Sequence, residues 1–268
     1  MSRHTSNSPP TDLVGTVARR PVATLLVTDL DNTLWDWFDA WYASFSALLK
    51  GVERRTGIRA SVLEAEIRDV HQARGTAEYS PLLNELPSLV ARYGDVPPME
   101  ALDEAIHEQN KARKEHTRLY PDVKVTLSAI RAKGVPIVAY TEAVAYWTEW
   151  RIQTLGLDGI LDELYSAPDH EFPAGVSKED IRKRPAETYG LKKTIHRHVP
   201  RGTLKPDAVI LEKIIADHGR DPDEVVYVGD SLMKDVAMAQ AIGALDVLAQ
   251  YGVVQGLEQY ELLRRVSH

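Results

Sequence analysis

Asp29 and Asp31 stand two residues apart in Asp29-Leu30-Asp31-Asn32-Thr33, directly after the apolar run Val22–Thr28. Far along the chain, Gly229-Asp230-Ser231 follows a second apolar run, with Asp235 five residues past Asp230. Thr141-Glu142 closes a third run, and Lys205-Pro206-Asp207 places an ammonium just before a helical pattern. Carboxylates can attack as nucleophiles, move protons, or hold a hard cation such as Mg²⁺, which takes oxygen ligands. An ammonium can offset the charge of an anionic group being attacked, and a hydroxyl can donate a hydrogen bond to it. Asp29 and Asp31 on a straight strand would share one face. Asn32-Thr33 instead predicts that the chain has begun to turn, letting the two side chains approach one point from different directions.

These residues converge only if the elements carrying them lie side by side. Val22–Thr28, Val135–Tyr140, Leu161–Ser166, Val225–Val228 and Ala244–Leu248 are continuous or near-continuous apolar runs, as in strands buried on both faces. Helical patterns over Asp122–Lys133, Ala143–Leu155, Pro206–His218 and Lys234–Ile242 alternate with them, with glycines after each helix. This alternation predicts an α/β fold, a Rossmann-like parallel sheet covered by helices. Ligands then bind outside the carboxyl ends of the strands, where all four stretches fall.

About a hundred residues between the first two strands carry helical signals only. Trp37–Arg55, Ser61–Arg74, Pro81–Tyr93 and Met99–Arg118 read as helices, and Leu34, Phe38, Trp41, Phe45 and Leu48 form one stripe. Ser61 and Glu64 match a capping box. The expected organisation is a tail over 1–21, a discontinuous core of 22–36 and 119–268, and an inserted α-helical domain over 37–118.

The four stretches, in this order, resemble the motifs of the haloacid dehalogenase (HAD) superfamily of phosphohydrolases. Asp29, Asp31 and Thr33 match its DxDxT, Thr141 the hydroxyl closing the second strand, Lys205 its lysine, and Gly229, Asp230 and Asp235 its GDxxxxD. The position of the insert is similar to that family's helical cap of the first (C1) type. The resemblance implies a Mg²⁺-dependent phosphomonoester hydrolase acting on a small phosphorylated metabolite. Asp29 would form an aspartyl-phosphate, and Asp31 would act as acid and then base. Thr141 and Lys205 would bind phosphate oxygens. Asp29, Asp230, the Asp31 carbonyl and Asp235, directly or through water, would hold the metal. Asp31 favours a phosphate ester over a halide, because an alkoxide leaving group needs a proton. A phosphotransferase or phosphomutase uses the same acid. A non-catalytic binding module on the same fold is the remaining alternative.

Glu142 departs from the family pattern of a small or amide residue. It is read as a solvent-facing or helix-capping residue, with a contact in the substrate phosphate site as the sharper alternative. Trp35, Trp37, Trp41, Tyr42, Trp147 and Trp150 are expected mostly in packing, with Trp35 and Trp37 at the hinge of the insert as candidate substrate contacts. His71, Arg74 and Tyr79 are candidate specificity residues. The connection Asp169–Gly202 is basic from 182 to 201, a solvated surface or a flap over the site, and His196-x-His198 is not expected to hold a metal. Excess acid (39 Asp and Glu against 32 Lys and Arg, net charge −7) argues against generic nucleic-acid binding. No run reaches the roughly 18 apolar residues of a membrane span. The lack of cysteine removes disulfides and thiolate chemistry and fits a reducing, cytoplasmic setting. Residues Met1–Arg20 read as a disordered terminus rather than a targeting segment.

Overall fold

A computed structural model describes residues 22–170 and 185–267 of the chain. The expected tail, and Ser177–Asp180 and Arg182–Arg184 of the basic connection, lie outside the described residues.

Six parallel strands form one sheet in the order β4-β3-β2-β1-β5-β6. They are β1 (Leu25–Thr28), β2 (Ile137–Val144), β3 (Glu163–Ala167), β4 (Ile195–His198), β5 (Val225–Gly229) and β6 (Leu245–Leu248). β1 lies between β2 and β5, and both its faces are covered as well: Leu25 and Val27 enter one apolar cluster and Leu26 the other. That explains why its sequence is continuously apolar rather than alternating.

The helices are α1 (Trp37–Thr56), α2 (Ala60–Arg74), α3 (Pro87–Tyr93), α4 (Pro98–Ala101), α5 (Asp103–His116), α6 (Val123–Ala132), α7 (Ala145–Thr154), α8 (Ala208–Asp217), α9 (Ala237–Ile242) and α10 (Tyr260–Ser267). The first five follow one another between β1 and β2, and α1, α2, α3 and α5 contribute to one buried cluster apart from the two that flank the sheet. The stripe on α1 is the reason. Phe38, Trp41, Phe45 and Leu48 are all buried in that cluster, and Trp41 and Phe45 stack at 4.9 Å.

Several local expectations are corrected. The capping box at Ser61 does not form: α2 begins at Ala60, whose N–H donates to Glu53 Oε1 of α1. Two expected helices are divided, one at Pro87 and the other at Leu102. A 3₁₀ turn (Leu82–Glu85) precedes Pro87, and α4 ends before α5. Pro206 lies outside α8, whose N-cap is Asp207 accepting from Ile210 N–H. β4 arises inside the basic connection as the edge strand beside β3. The apolar stripe of the C-terminal α10 (Leu262, Leu263 and Val266) joins the cluster of the inserted helices instead of the sheet core expected for 119–268.

Candidate active site

β1 delivers Asp29 to the carboxyl edge of the sheet, where its backbone N–H donates to Val228 O of β5 at 2.8 Å. Asn32 takes a left-handed φ of 58°, a conformation asparagine tolerates better than most residues. The chain therefore turns where the sequence predicts it. The Asn32 side chain accepts Phe38 N–H at 3.0 Å, tying the turn to the start of α1.

Asp29 is buried, and each of its oxygens has a partner. Thr33 Oγ1 donates to Oδ2 at 3.0 Å and Lys205 Nζ to Oδ1 at 2.6 Å. Lys205 also donates to Asp235 Oδ1 at 2.9 Å and lies near the rings of Tyr140 and Tyr227, 5.1 and 5.6 Å from their centroids. Asp235 is fastened by Tyr227 Oη–H and by the Ser231 backbone N–H. A Cβ on residue 229 would fall onto the Asp235 carboxylate, which is why Gly229 precedes Asp230.

Asp29, Asp230 and Asp235 bring carboxylate oxygens within 4.8 Å of one another. Burial, then the neighbouring charges of Asp29 and Asp235, raise Asp230 to about 7. Burial likewise raises Asp29, against the pull of Lys205. Burial opposes the charge on Lys205, but the Asp29, Tyr227 and Asp235 groups outweigh it and hold its pKa well above the ordinary lysine value. The cluster is an all-oxygen set with more negative charge than one ammonium offsets. That chemistry fits a hard divalent cation.

Asp31 lies against Trp35 and Arg151. Its Oδ1 accepts Trp35 Nε1–H at 2.6 Å and lies 3.6 Å from Arg151 Nη1. Burial raises it to about 6 despite Arg151. Arg151, on α7 and only 2% exposed, also pairs with Glu78, which lies between α2 and the 3₁₀ turn. Glu78 accepts Trp37 Nε1–H through its side chain and Trp147 Nε1–H through its carbonyl. The Tyr140, Tyr227, Glu78 and Arg151 contacts were not legible in the sequence. The tyrosines sit in apolar strand runs, and the two charges lie far apart in the chain.

Thr141 is buried in the second half of β2, just past Tyr140 where the pairing with β3 shifts register, and its Oγ1 accepts Ala143 N–H. Glu142 does not cap α7, whose N-cap is Val144 with no side-chain hydrogen bond. Both its oxygens are engaged: Oε1 accepts Lys205 backbone N–H at 2.8 Å and Oε2 accepts Lys234 Nζ at 2.5 Å.

Other singled-out residues lie elsewhere. His71 is buried among the inserted helices, its Nδ1 2.8 Å from Val266 O, so it does not reach the carboxylates. Arg74 and Tyr79 both bond Glu85. His196 lies 2.8 Å from Ser166 Oγ and 2.7 Å from Glu149 Oε1, and the metal-capable group among the described residues is the aspartate trio instead. Lys192, Lys193 and Arg197 of the basic connection are exposed, and Arg197 pairs with Glu163.

Comparison with known proteins agrees with this geometry. Residues 23–243 match the haloacid dehalogenase-like hydrolase family. The chain is 25% identical over 238 residues to glyceraldehyde 3-phosphate phosphatase of Methanopyrus kandleri, covering 86% of this chain and 85% of that protein. Two solved structures share the fold. One is 2-haloacid dehalogenase of Pseudomonas syringae, with a TM-score of 0.55 at 20% identity, covering 91% of this chain and 99% of that one. The other is a haloacid dehalogenase-like family hydrolase of Xanthomonas campestris, with a TM-score of 0.52 at 15% identity over 85% and 82%. With the four motifs gathered at one sheet edge and the family match spanning most of its length, the chain belongs to the haloacid dehalogenase-like hydrolases.

Proposed function

We propose that this hydrolase is a phosphatase that cleaves a small phosphomonoester through an aspartyl-phosphate on Asp29. The observation that carries this reading is the pair of differently placed carboxylates at the end of β1. Asp29 sits among Lys205, Thr33 and the other aspartates, whereas Asp31 sits apart against Trp35 and Arg151. A nucleophile needs the first environment. A proton donor needs the second, and the raised pKa of Asp31, about 6, keeps part of it protonated near neutrality.

In this account Asp29 attacks phosphorus while Asp31 protonates the leaving oxygen. Asp31 then takes a proton from the water that releases phosphate. Lys205 and Thr141 hold non-bridging oxygens, and Lys205 keeps its charge through the two carboxylates it already contacts. Asp29 and Asp230, with the Asp31 carbonyl, would hold Mg²⁺. Asp235, whose oxygens are occupied by Lys205, Tyr227 and Ser231, would act at one remove. The cation, when bound, offsets the repulsion between an anionic nucleophile and an anionic substrate. The inserted helices form a cap of the C1 type over the core and exclude bulk water during the reaction. The relative named as acting on glyceraldehyde 3-phosphate supports a small phosphorylated metabolite as substrate.

The test is phosphate release from p-nitrophenyl phosphate and a panel of sugar, nucleotide and short-chain organic phosphates, with Mg²⁺ and with chelator. Mg²⁺-dependent release that falls by at least about 1,000-fold in Asp29→Asn is expected. Release that survives Asp29→Asn would contradict the reading, and ligand binding without any turnover would favour a non-catalytic module.

A further inference from the structure

Glu142 breaks the motif pattern at a position two residues past Tyr140 and next to Thr141, and the structure gives its carboxylate two partners from two other active-site loops. Oε1 takes the backbone N–H of Lys205 at 2.8 Å, and Oε2 takes Lys234 Nζ at 2.5 Å. Lys234 belongs to the turn Leu232–Val236, which also carries Asp235. One side chain on β2 thus fastens the loop bearing the phosphate-site ammonium and the turn bearing its anchoring carboxylate.

We infer that Glu142 is a positioning residue that sets the backbone of Lys205, and through it the reach of Nζ to Asp29. The physical argument is one of leverage. Lys205 Nζ must satisfy two carboxylates, at 2.6 and 2.9 Å, from the end of a flexible four-carbon stem. The stem is directed only if its backbone is fixed. The loop from Val199 to Asp207 has little regular structure to fix it, and a charge-assisted hydrogen bond to the Lys205 N–H supplies a tie. Lys234 holds the same carboxylate from its other side and balances its charge. A carboxylate so engaged has no donor to offer a phosphate oxygen and would repel one, so Glu142 acts through Lys205 rather than on substrate. The inference rests on the phosphatase reading above.

The test compares Glu142→Ala, Glu142→Gln and Lys234→Met in p-nitrophenyl phosphate and alkyl phosphate hydrolysis, with orthovanadate binding by calorimetry and a thermal melt for each. Loss of the tie predicts a kcat for Glu142→Ala lower by about 30-fold, short of the roughly 100-fold that a misplacement of about 1 Å costs. The fall is equal for both substrates, and orthovanadate binds more weakly. Glu142→Gln keeps an oxygen for the Lys205 N–H and loses only about 3- to 5-fold. Lys234→Met removes an exposed ion pair and loses less than about 5-fold. If Glu142→Ala does not fold, Glu142→Asp, which withdraws both oxygens by one methylene, carries the same prediction. A loss that changes KM for one ester and spares p-nitrophenyl phosphate would make Glu142 a substrate contact and overturn the inference. So would full activity in Glu142→Ala. A wild-type protein without activity on any ester defeats the phosphatase reading instead.

Discussion

Asp230 is half-buried near two other carboxylates, and the cost of that crowding is measurable. Its pKa rises from 3.8 in the ordinary state to about 7 in the fold, through burial first and then Asp29 and Asp235. Between those values the folded protein holds a proton that the unfolded chain has released, so stability falls as pH rises through the window. Without divalent cation, Asp230→Asn should therefore melt higher than wild type at about pH 8, with the gap closing toward about pH 4, where both carry a neutral side chain. Added Mg²⁺ should raise the melting temperature of wild type more than that of Asp230→Asn. A variant less stable than wild type at both pH values would contradict this electrostatic account. The same residues were the most legible part of the sequence. Carboxylates at fixed spacing after apolar runs are visible without any structure, and the turn at Asn32 was predicted from residue type. The partners that set their chemistry were not legible, because Tyr227 looks like an ordinary core residue and Arg151 like a surface charge until the fold places them.

At the scale of elements, α7 and the segment between α2 and the 3₁₀ turn meet through the buried pair Arg151 and Glu78. Removing one partner leaves the other charge buried without its main counter-charge, so Arg151→Met is expected to destabilise the fold by about 3–5 kcal/mol. Glu78→Gln added to Arg151→Met should recover part of that loss, since the Glu78 charge is gone while Asp31 still lacks its guanidinium. Denaturant melts of the two singles and the double measure the coupling, and strict additivity would show that the pair is not a unit. The sheet was largely readable because central strands must be apolar on both faces. β4 was not: as an edge strand it carries His196, Arg197 and His198, and a run of polar residues resembles a loop. The capping-box pattern at Ser61 misled for a local reason, since Glu53 already serves the N–H that opens α2.

Over the whole molecule, the inserted helices are joined to the sheet by more than the two connections the chain order requires. The C-terminal α10 runs back to α2, with Val266 fully buried, Val266 O beside His71 Nδ1, and Arg265 paired with Glu64. This third attachment was invisible in the sequence, because an amphipathic helix shows which face is apolar but not which surface will cover it. Leu263→Ala should therefore cost about 2–4 kcal/mol and lower the denaturant midpoint. An unchanged midpoint would mean that α10 contributes no fixed packing to the insert.

The central claim is a covalent bond between phosphorus and Asp29. Rapid quenching of wild-type protein during turnover with p-nitrophenyl phosphate, followed by borohydride reduction, converts an acyl phosphate to the corresponding alcohol. Peptide mass spectrometry should then find homoserine at position 29, dependent on substrate and on Mg²⁺. Turnover with no modification at Asp29, or with the label on another residue, would contradict the account.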